Sequence, residues 1–218
     1  MLNCWSIDVA RLYDDGVSDE REIVLDESEE LYLVMERPPE EAIPLGLVGD
    51  WWVAHTKPRT EKRLAQDLCR LGVTHYLPLR RKQTRSRTSG RVTKSIVPVF
   101  SGYLFFNATE EGRQRALTTN RIVTTLRVPA QERFVGELRQ IHRVIAAQVE
   151  YQLHGQIRTG EWVRVTSGPL IGTEGMVVGK LAGMRLILNV GMLGQAVSVR
   201  VDRNSLERLS QPSFQSTH

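Results

Sequence analysis

From Trp51 onward the chain alternates short apolar runs with amphipathic ones, and their periods predict a definite order of elements. Trp51-Trp52-Val53-Ala54-His55-Thr56 is rich in aromatic and β-favouring residues and predicts a strand. Lys57-Pro58-Arg59 predicts a turn, followed by a helix from Glu61 to Leu71 with Thr60 as N-cap and Gly72 just past its end. Leu64, Leu68 and Leu71 share one face of that helix. Val73 to Leu79 returns as a strand. The stretch Val97 to Phe106 holds four of the ten Phe and Tyr residues. Alternation puts Phe100, Gly102, Leu104 and Phe106 on one face and Val99, Ser101, Tyr103 and Phe105 on the other. Both faces are apolar. That fits a strand covered on two sides, or one whose second face meets a partner.

A helix over Ala108 to Thr118, a strand over Ile122 to Val128 and a long helix from Gln131 to Tyr151 come next. Phe134, Leu138, Ile141 and Ile145 keep the helical period in the last of these. After a polar connection, the chain from Gly160 loses that period. Trp162 to Thr166, Glu174 to Lys180, Met184 to Val190 and Ala196 to Val201 read as short strands between glycine-rich turns, a pattern that predicts a small β-barrel. The fold class expected is α+β. A mostly antiparallel sheet with flanking helices spans 51–151, a linker 152–159, and a barrel 160–209. An acidic leader, partly disordered, covers 1–49, and a disordered tail covers 210–218.

Charge sharpens this division. Residues 1–50 carry fourteen Asp and Glu against three Arg, a balance of −11; the remaining residues carry 26 Lys and Arg against 11 acids, a balance of +15. A folded portion this basic is a candidate for nucleic-acid or ribonucleoprotein contact. The leader is then either a solvated tail or an electrostatic cover for the basic portion. Arg80 to Lys94 holds seven basic residues and no acid, with Ser89-Gly90 as a hairpin tip, and can reach phosphates. No apolar run has the length of a membrane span, and the N-terminus lacks the regions of a secretory signal. Cys4 and Cys69 are too few and too far apart for a disulfide framework or a zinc site, so a reducing, cytoplasmic setting is expected.

The tightest motif is Gly160-Glu161-Trp162-Val163-Arg164-Val165-Thr166-Ser167-Gly168-Pro169-Leu170-Ile171-Gly172-Thr173-Glu174-Gly175. Its glycines permit a tight turn and close backbone approach, and Leu170 and Ile171 are expected at the loop tip. It resembles the KOW motif of transcription elongation factors and ribosomal proteins, which has the SH3-like barrel as its fold. Upstream, Trp51 to Lys62, Tyr76-Leu77-Pro78-Leu79 and Pro98-Val99-Phe100-Ser101-Gly102-Tyr103-Leu104-Phe105 resemble the N-terminal domain of NusG, with Ser101 where that family usually has Pro. The combination resembles NusG and its specialised paralogues of RfaH or UpxY type. The segment Gly194 to Asp202 and the long acidic leader favour a paralogue.

This resemblance implies a monomeric, non-enzymatic factor with no cofactor that binds RNA polymerase on the clamp helices of its largest subunit and modulates pausing or termination. It implies a docking face of Phe100, Tyr103, Phe105 and Trp52, and a contact with the opposing polymerase subunit near Arg113 and Gln114. DNA contacts fall, by position and charge, on Lys57, Arg63 and Arg121. The KOW turn of Gly168, Pro169, Leu170, Ile171, Gly172 and Gly175 would engage Rho or a small-subunit ribosomal protein. The alternative is a KOW-containing RNA- or ribosome-binding protein acting in translation, which leaves Trp51 to Phe105 unexplained. Catalysis finds no support in the residues. His55, His75, His142, His154 and His218 show no ligand-like spacing with Cys or carboxylates, and no glycine-rich phosphate loop opens a helix.

Overall fold

The structure is a computed structural model that describes residues 37–85, 88, 90–179 and 184–215. The apolar runs Ile23 to Leu25 and Leu31 to Met35 of the leader, and Ser89 and Gly183 among the turn residues, lie outside the described residues. The chain divides into two compact units, one including residues 48–126 and the other residues 35–47 with 127–218.

The first unit is built on β1 (Asp50–Thr56), α2 (Glu61–Arg70), β2 (Thr74–Tyr76), β3 (Leu79–Arg85), β4 (Val92–Pro98), β5 (Tyr103–Ala108), α3 (Glu110–Leu117) and β6 (Ile122–Arg127). Four strands form a sheet in the order β2-β5-β1-β6, so α2 and α3 each carry the chain across one intervening strand. β1 and β5 are antiparallel, with Trp52 opposite Phe106 and Val53 opposite Phe105. Leu104 and Phe106 pack with Ala54, Leu64, Leu68 and Ala116, so both helices lie on one sheet face. This is the two-layer solution for an apolar helix stripe on a sheet. Gly72 takes φ +67 and ends α2 as expected. Thr60, by contrast, gives α2 no side-chain cap. Its hydroxyl donates to the Lys57 carbonyl at 2.8 Å instead.

β5 is entered through a turn over Phe100 to Tyr103, closed by the Tyr103 N–H donating to the Phe100 carbonyl at 3.2 Å. Gly102 sits at its third position with φ +84, a conformation glycine adopts without strain. The Gly102 N–H donates to the buried Glu61 carboxylate at 2.7 Å, tying the turn to the start of α2. β3 and β4 form a separate two-stranded ribbon, as the basic segment predicts.

The second unit comprises α1 (Pro39–Ala42), α4 (Gln131–Ala146) and six strands: β7 (Tyr151–Gly155), β8 (Glu161–Val165), β9 (Glu174–Val178), β10 (Met184–Val190), β11 (Gln195–Val201) and β12 (Leu206–Arg208). Their order is β12-β8-β9-β10-β11-β7, with every pairing antiparallel. Three boundaries differ from the expected ones. α4 ends at Ala146, where Gln148 takes φ +51 and turns the chain away from the helix. The first half of the segment expected to link two domains, 152–155, is instead part of β7, paired with β11 from Tyr151↔Val199 to Gly155↔Gln195, while 156–159 has no regular structure. The division between compact units falls at residues 126 and 127, and α4 packs on β10 and on the turns at 191–193 and 213–215. Part of the expected disordered tail is also structured: Phe214 meets Trp162 edge-on at 6.3 Å, and the Ser213 N–H donates to Glu174 at 2.7 Å.

Candidate functional site

The register of β1 against β5 sorts the aromatic candidates onto two faces. His55 lies opposite Tyr103, and Val53 opposite Phe105, on the face away from the helices. Tyr103 stacks on His55 at 5.3 Å between ring centroids. Phe105 stacks with Tyr76 at 6.4 Å and meets Phe100 edge-on at 6.3 Å. Phe100, Tyr103 and Phe105 are thus brought to one side of the first unit. Tyr103 is half-buried, whereas Phe100 and Phe105 are 1% and 0% exposed. The expectation that Phe105 is presented to a partner is corrected: its ring is enclosed, and so is that of Phe100.

Trp52 belongs elsewhere. It lies on the helix-bearing face, packs against the Leu64–Phe106 cluster, and its indole N–H donates to the Ala108 carbonyl at 3.2 Å. The Arg113 guanidinium lies 5.2 Å from its ring centre, a cation–π contact. Arg113 also donates from Nε to Glu110 at 2.9 Å and from Nη1 to the Thr125 hydroxyl at 3.0 Å. The Gln114 amide donates to the same Glu110 at 2.9 Å. These bonds, Arg113 first and Gln114 second, hold the Glu110 carboxyl at about 2, well below the usual carboxylate range. Trp52, Arg113 and Gln114 thus form one site around Glu110, separate from the Tyr103 face.

The three expected DNA contacts are unequal. Lys57 donates to the Asn120 side-chain oxygen at 2.9 Å, and Arg121 is ion-paired with Asp67. Arg63 is exposed on α2. In the second unit the glycine-rich turn expected to be a KOW turn is closed by the Gly172 N–H donating to the Val165 carbonyl at 2.8 Å and the Val165 N–H to Thr173 at 2.9 Å. Gly168 and Gly172 take φ +84 and +78 at its two corners. Leu170 and Ile171 part company there: Ile171 is 63% exposed and Leu170 only 5%. The expected paired tip is therefore a single exposed residue, because the turn directs Leu170 into the unit. Gly175 has a packing role, since a Cβ there would lie 2.6 Å from the Ile187 carbonyl oxygen.

Polar groups that sequence reasoning passed over lie along α4. Glu137 accepts the Gly191 N–H at 2.8 Å and Arg133 Nε at 3.0 Å; Gln140 accepts the Glu174 N–H at 2.9 Å. Glu174 in turn binds Arg164 at 2.7 Å and both the N–H and hydroxyl of Ser213. Their one sequence signal is that Glu137 and Gln140 interrupt the otherwise apolar face of α4. His75 is buried with its pKa pushed down to about 4, by desolvation first and against the hydrogen bond to Val73. It is a neutral sheet residue. Among the described residues no group of three or more His, Cys, Asp and Glu is arranged to hold a metal ion. No described helix is long and apolar enough to cross a membrane.

Residues 49–151, a little under half of the chain, match the family model described as "Transcription termination factor nusG", so this stretch is similar to that family. By that description the family is one of transcription factors. Among solved structures, "Domain interaction in Thermotoga maritima NusG" is similar at 16% identity, covering 74% of this chain and 97% of that one, with a TM-score of 0.41. "Crystal Structure of MjSpt4:Spt5 complex conformation B" is similar at 14% identity over the same shares, with a TM-score of 0.24. No curated protein matches the chain.

Proposed function

We propose that this protein is a non-enzymatic, cytoplasmic transcription elongation or antitermination factor that binds RNA polymerase through the Tyr103 face of its first unit. The observation that carries this reading is the convergence of Tyr103, His55, Phe105, Tyr76 and Phe100 on one side of the stretch that matches the NusG family model. Tyr103 supplies the accessible ring, with apolar area and one hydroxyl, as suits a helix-lined partner such as the polymerase clamp. The buried Phe100 and Phe105 shape the face from within. The Trp52–Arg113–Gln114 site is a second, distinct contact for the opposing polymerase subunit, and Arg63 is the basic residue of α2 turned to DNA. Ile171 in the KOW turn is the apolar contact for a further partner, Rho or a small-subunit ribosomal protein. The acidic leader favours a specialised paralogue.

Co-purification with RNA polymerase tests the docking face. Tyr103→Ala is the informative variant, since truncating the enclosed Phe105 would cost about 3–5 kcal/mol of stability. Loss of polymerase with an unchanged melting temperature supports the reading. Retention of polymerase, or co-purification with ribosomal subunits instead, overturns it. Transcription in vitro past a terminator, with and without Rho, then distinguishes antitermination from pause control.

A further inference from the structure

The β3–β4 ribbon is the most basic element of the described protein, and neither docking surface above uses it. Between Leu79 and Thr109 the chain has no acidic residue, while Arg80, Arg81, Lys82, Arg85, Arg91 and Lys94 lie on or beside the two strands. The root is anchored, with the Val99 N–H donating to the Pro78 carbonyl at 2.8 Å and Leu79 packed against the first unit's core. Beyond that, Arg81 to Arg85 and Val92 to Ser95 are all exposed. Seven-residue strands extend about 23 Å.

The register arranges the charges. Arg81 faces Ile96, Lys82 faces Ser95, Gln83 faces Lys94 and Arg85 faces Val92, so no two cations oppose each other across the ladder. Like charges placed opposite one another would weaken a ribbon that has no third strand. Period two puts Arg81, Arg85 and Lys94 on one face, with Lys94 between the other two, and puts Arg80 and Lys82 with Thr84, Thr93 and Ser95 on the other. Arginine, lysine and hydroxyl groups are the side chains that bind phosphate oxygens. The ribbon has no aromatic residue from Leu79 to Pro98, so it lacks the platforms on which single-stranded bases stack. A two-stranded ribbon fits the roughly 12 Å major groove of B-form DNA, whereas the deep, narrow major groove of duplex RNA does not admit side chains.

We propose that the β3–β4 ribbon is a DNA-duplex arm that grips phosphates of the major-groove walls without reading base sequence. It is a contact distinct from Lys57 and Arg121, whose side chains are held by Asn120 and Asp67.

Fluorescence anisotropy of the full chain with a labelled 20-base-pair DNA duplex, at salt from about 50 to 300 mM, tests this without polymerase. Its failure therefore leaves the docking face untouched. Neutralising one phosphate contributes about 0.9 to the slope of log affinity against log salt. The triple variant Arg81→Ala/Arg85→Ala/Lys94→Ala is expected to lose about 2–3 from that slope and at least tenfold in affinity at 100 mM. Arg81→Lys/Arg85→Lys, which keeps the charge, is expected to retain the slope, showing that a folding defect is not the cause. Unchanged affinity and slope in the triple variant overturn the proposal. So does tighter binding of single-stranded DNA or duplex RNA of the same length.

Discussion

Glu137 of α4 accepts the backbone N–H of Gly191 at 2.8 Å, with its side chain 7% exposed and a single ion-pair partner, Arg133, that is itself half in solvent. This is one of the bonds by which the long helix is fixed to the strands of the second unit. Burial pushes the Glu137 carboxyl above the ordinary carboxylate range, and the Gly191 and Arg133 bonds offset that only in part. The folded protein therefore keeps this proton at pH values where the unfolded chain has released it. Stability contributed here falls as pH rises from the ordinary carboxylate value through the raised folded one. Glu137→Gln keeps an oxygen for Gly191 and removes the buried charge. It is expected to melt at a higher temperature than wild type at pH 7.5, with the gap closing towards pH 4. A lower melting temperature at pH 7.5 would show that the Arg133 pair outweighs the cost of burial.

Glu174 has the opposite sign. Its burial raises the carboxyl, but the Ser213 N–H, Arg164 and the Ser213 hydroxyl together bring it below the ordinary range. Its contribution is present above the unfolded value and is lost as pH falls through the folded one. Glu174→Gln is expected to cost about 1–3 kcal/mol at pH 7, the range for weakening a buried, charge-assisted hydrogen bond. The difference from wild type disappears in acid. Urea titrations at pH 7 and pH 3.5 read both limits.

The turn at 213–215 depends on one absent side chain. A Cβ built on Gly136 would fall 2.4 Å from the Phe214 Cβ, closer than two carbons approach. Gly136→Ala is therefore expected to displace Phe214 from α4 and from the Trp162 ring. Hydrogen exchange at residues 211–214 should rise at least tenfold, while β1 and β5 in the first unit keep their protection. Unchanged exchange would mean that α4 shifts to accommodate the methyl group.

The features legible in the sequence are those set by local pattern. β1 and the turn over Gly168 to Gly172 follow from alternation and glycine placement, and charge marks the β3–β4 ribbon, whose second strand runs on to Pro98. β5 begins only at Tyr103 instead of Val97, because the turn over Phe100 to Tyr103 interrupts the apolar stretch. What was not legible depends on pairings between distant residues. Trp52 and Tyr103 are both aromatic strand residues, and only the register Trp52↔Phe106, His55↔Tyr103 shows that they face opposite ways. The apolar period of α4 predicts a packed helix but does not name its partner. That is set by bonds from Glu137 to Gly191 and from Gln140 to Glu174, 54 and 34 residues away. Gln152 to Gly155 looks like part of a polar linker because its strand lies at the edge of the sheet, paired only with β11 and exposed. Leu170 and Ile171 are chemically alike, and the backbone of the turn alone decides that one is buried.

The acidic leader yields the last prediction, and the fold fixes where to cut it. Residues 1–36 carry eleven Asp and Glu against Arg11 and Arg21, a net charge of −9. Residues beyond them serve the second unit: Ile43 is 0% exposed, its carbonyl accepts Arg139 Nε at 3.0 Å, and the Arg37 carbonyl lies 3.0 Å from His142 Nε2. Removing residues 1–49 would therefore uncover α4 and confuse two effects, whereas removing 1–36 leaves these contacts in place. If the leader covers the basic ribbon, this deletion strengthens DNA-duplex binding several-fold at 50 mM salt. The two affinities should converge by about 300 mM, where the Debye length falls below the ~8 Å of physiological salt and screens charges not in contact. The triple ribbon variant should gain nothing from the same deletion. Equal affinities of the full and shortened chains across the whole salt range would show that the leader does not compete with DNA for the ribbon.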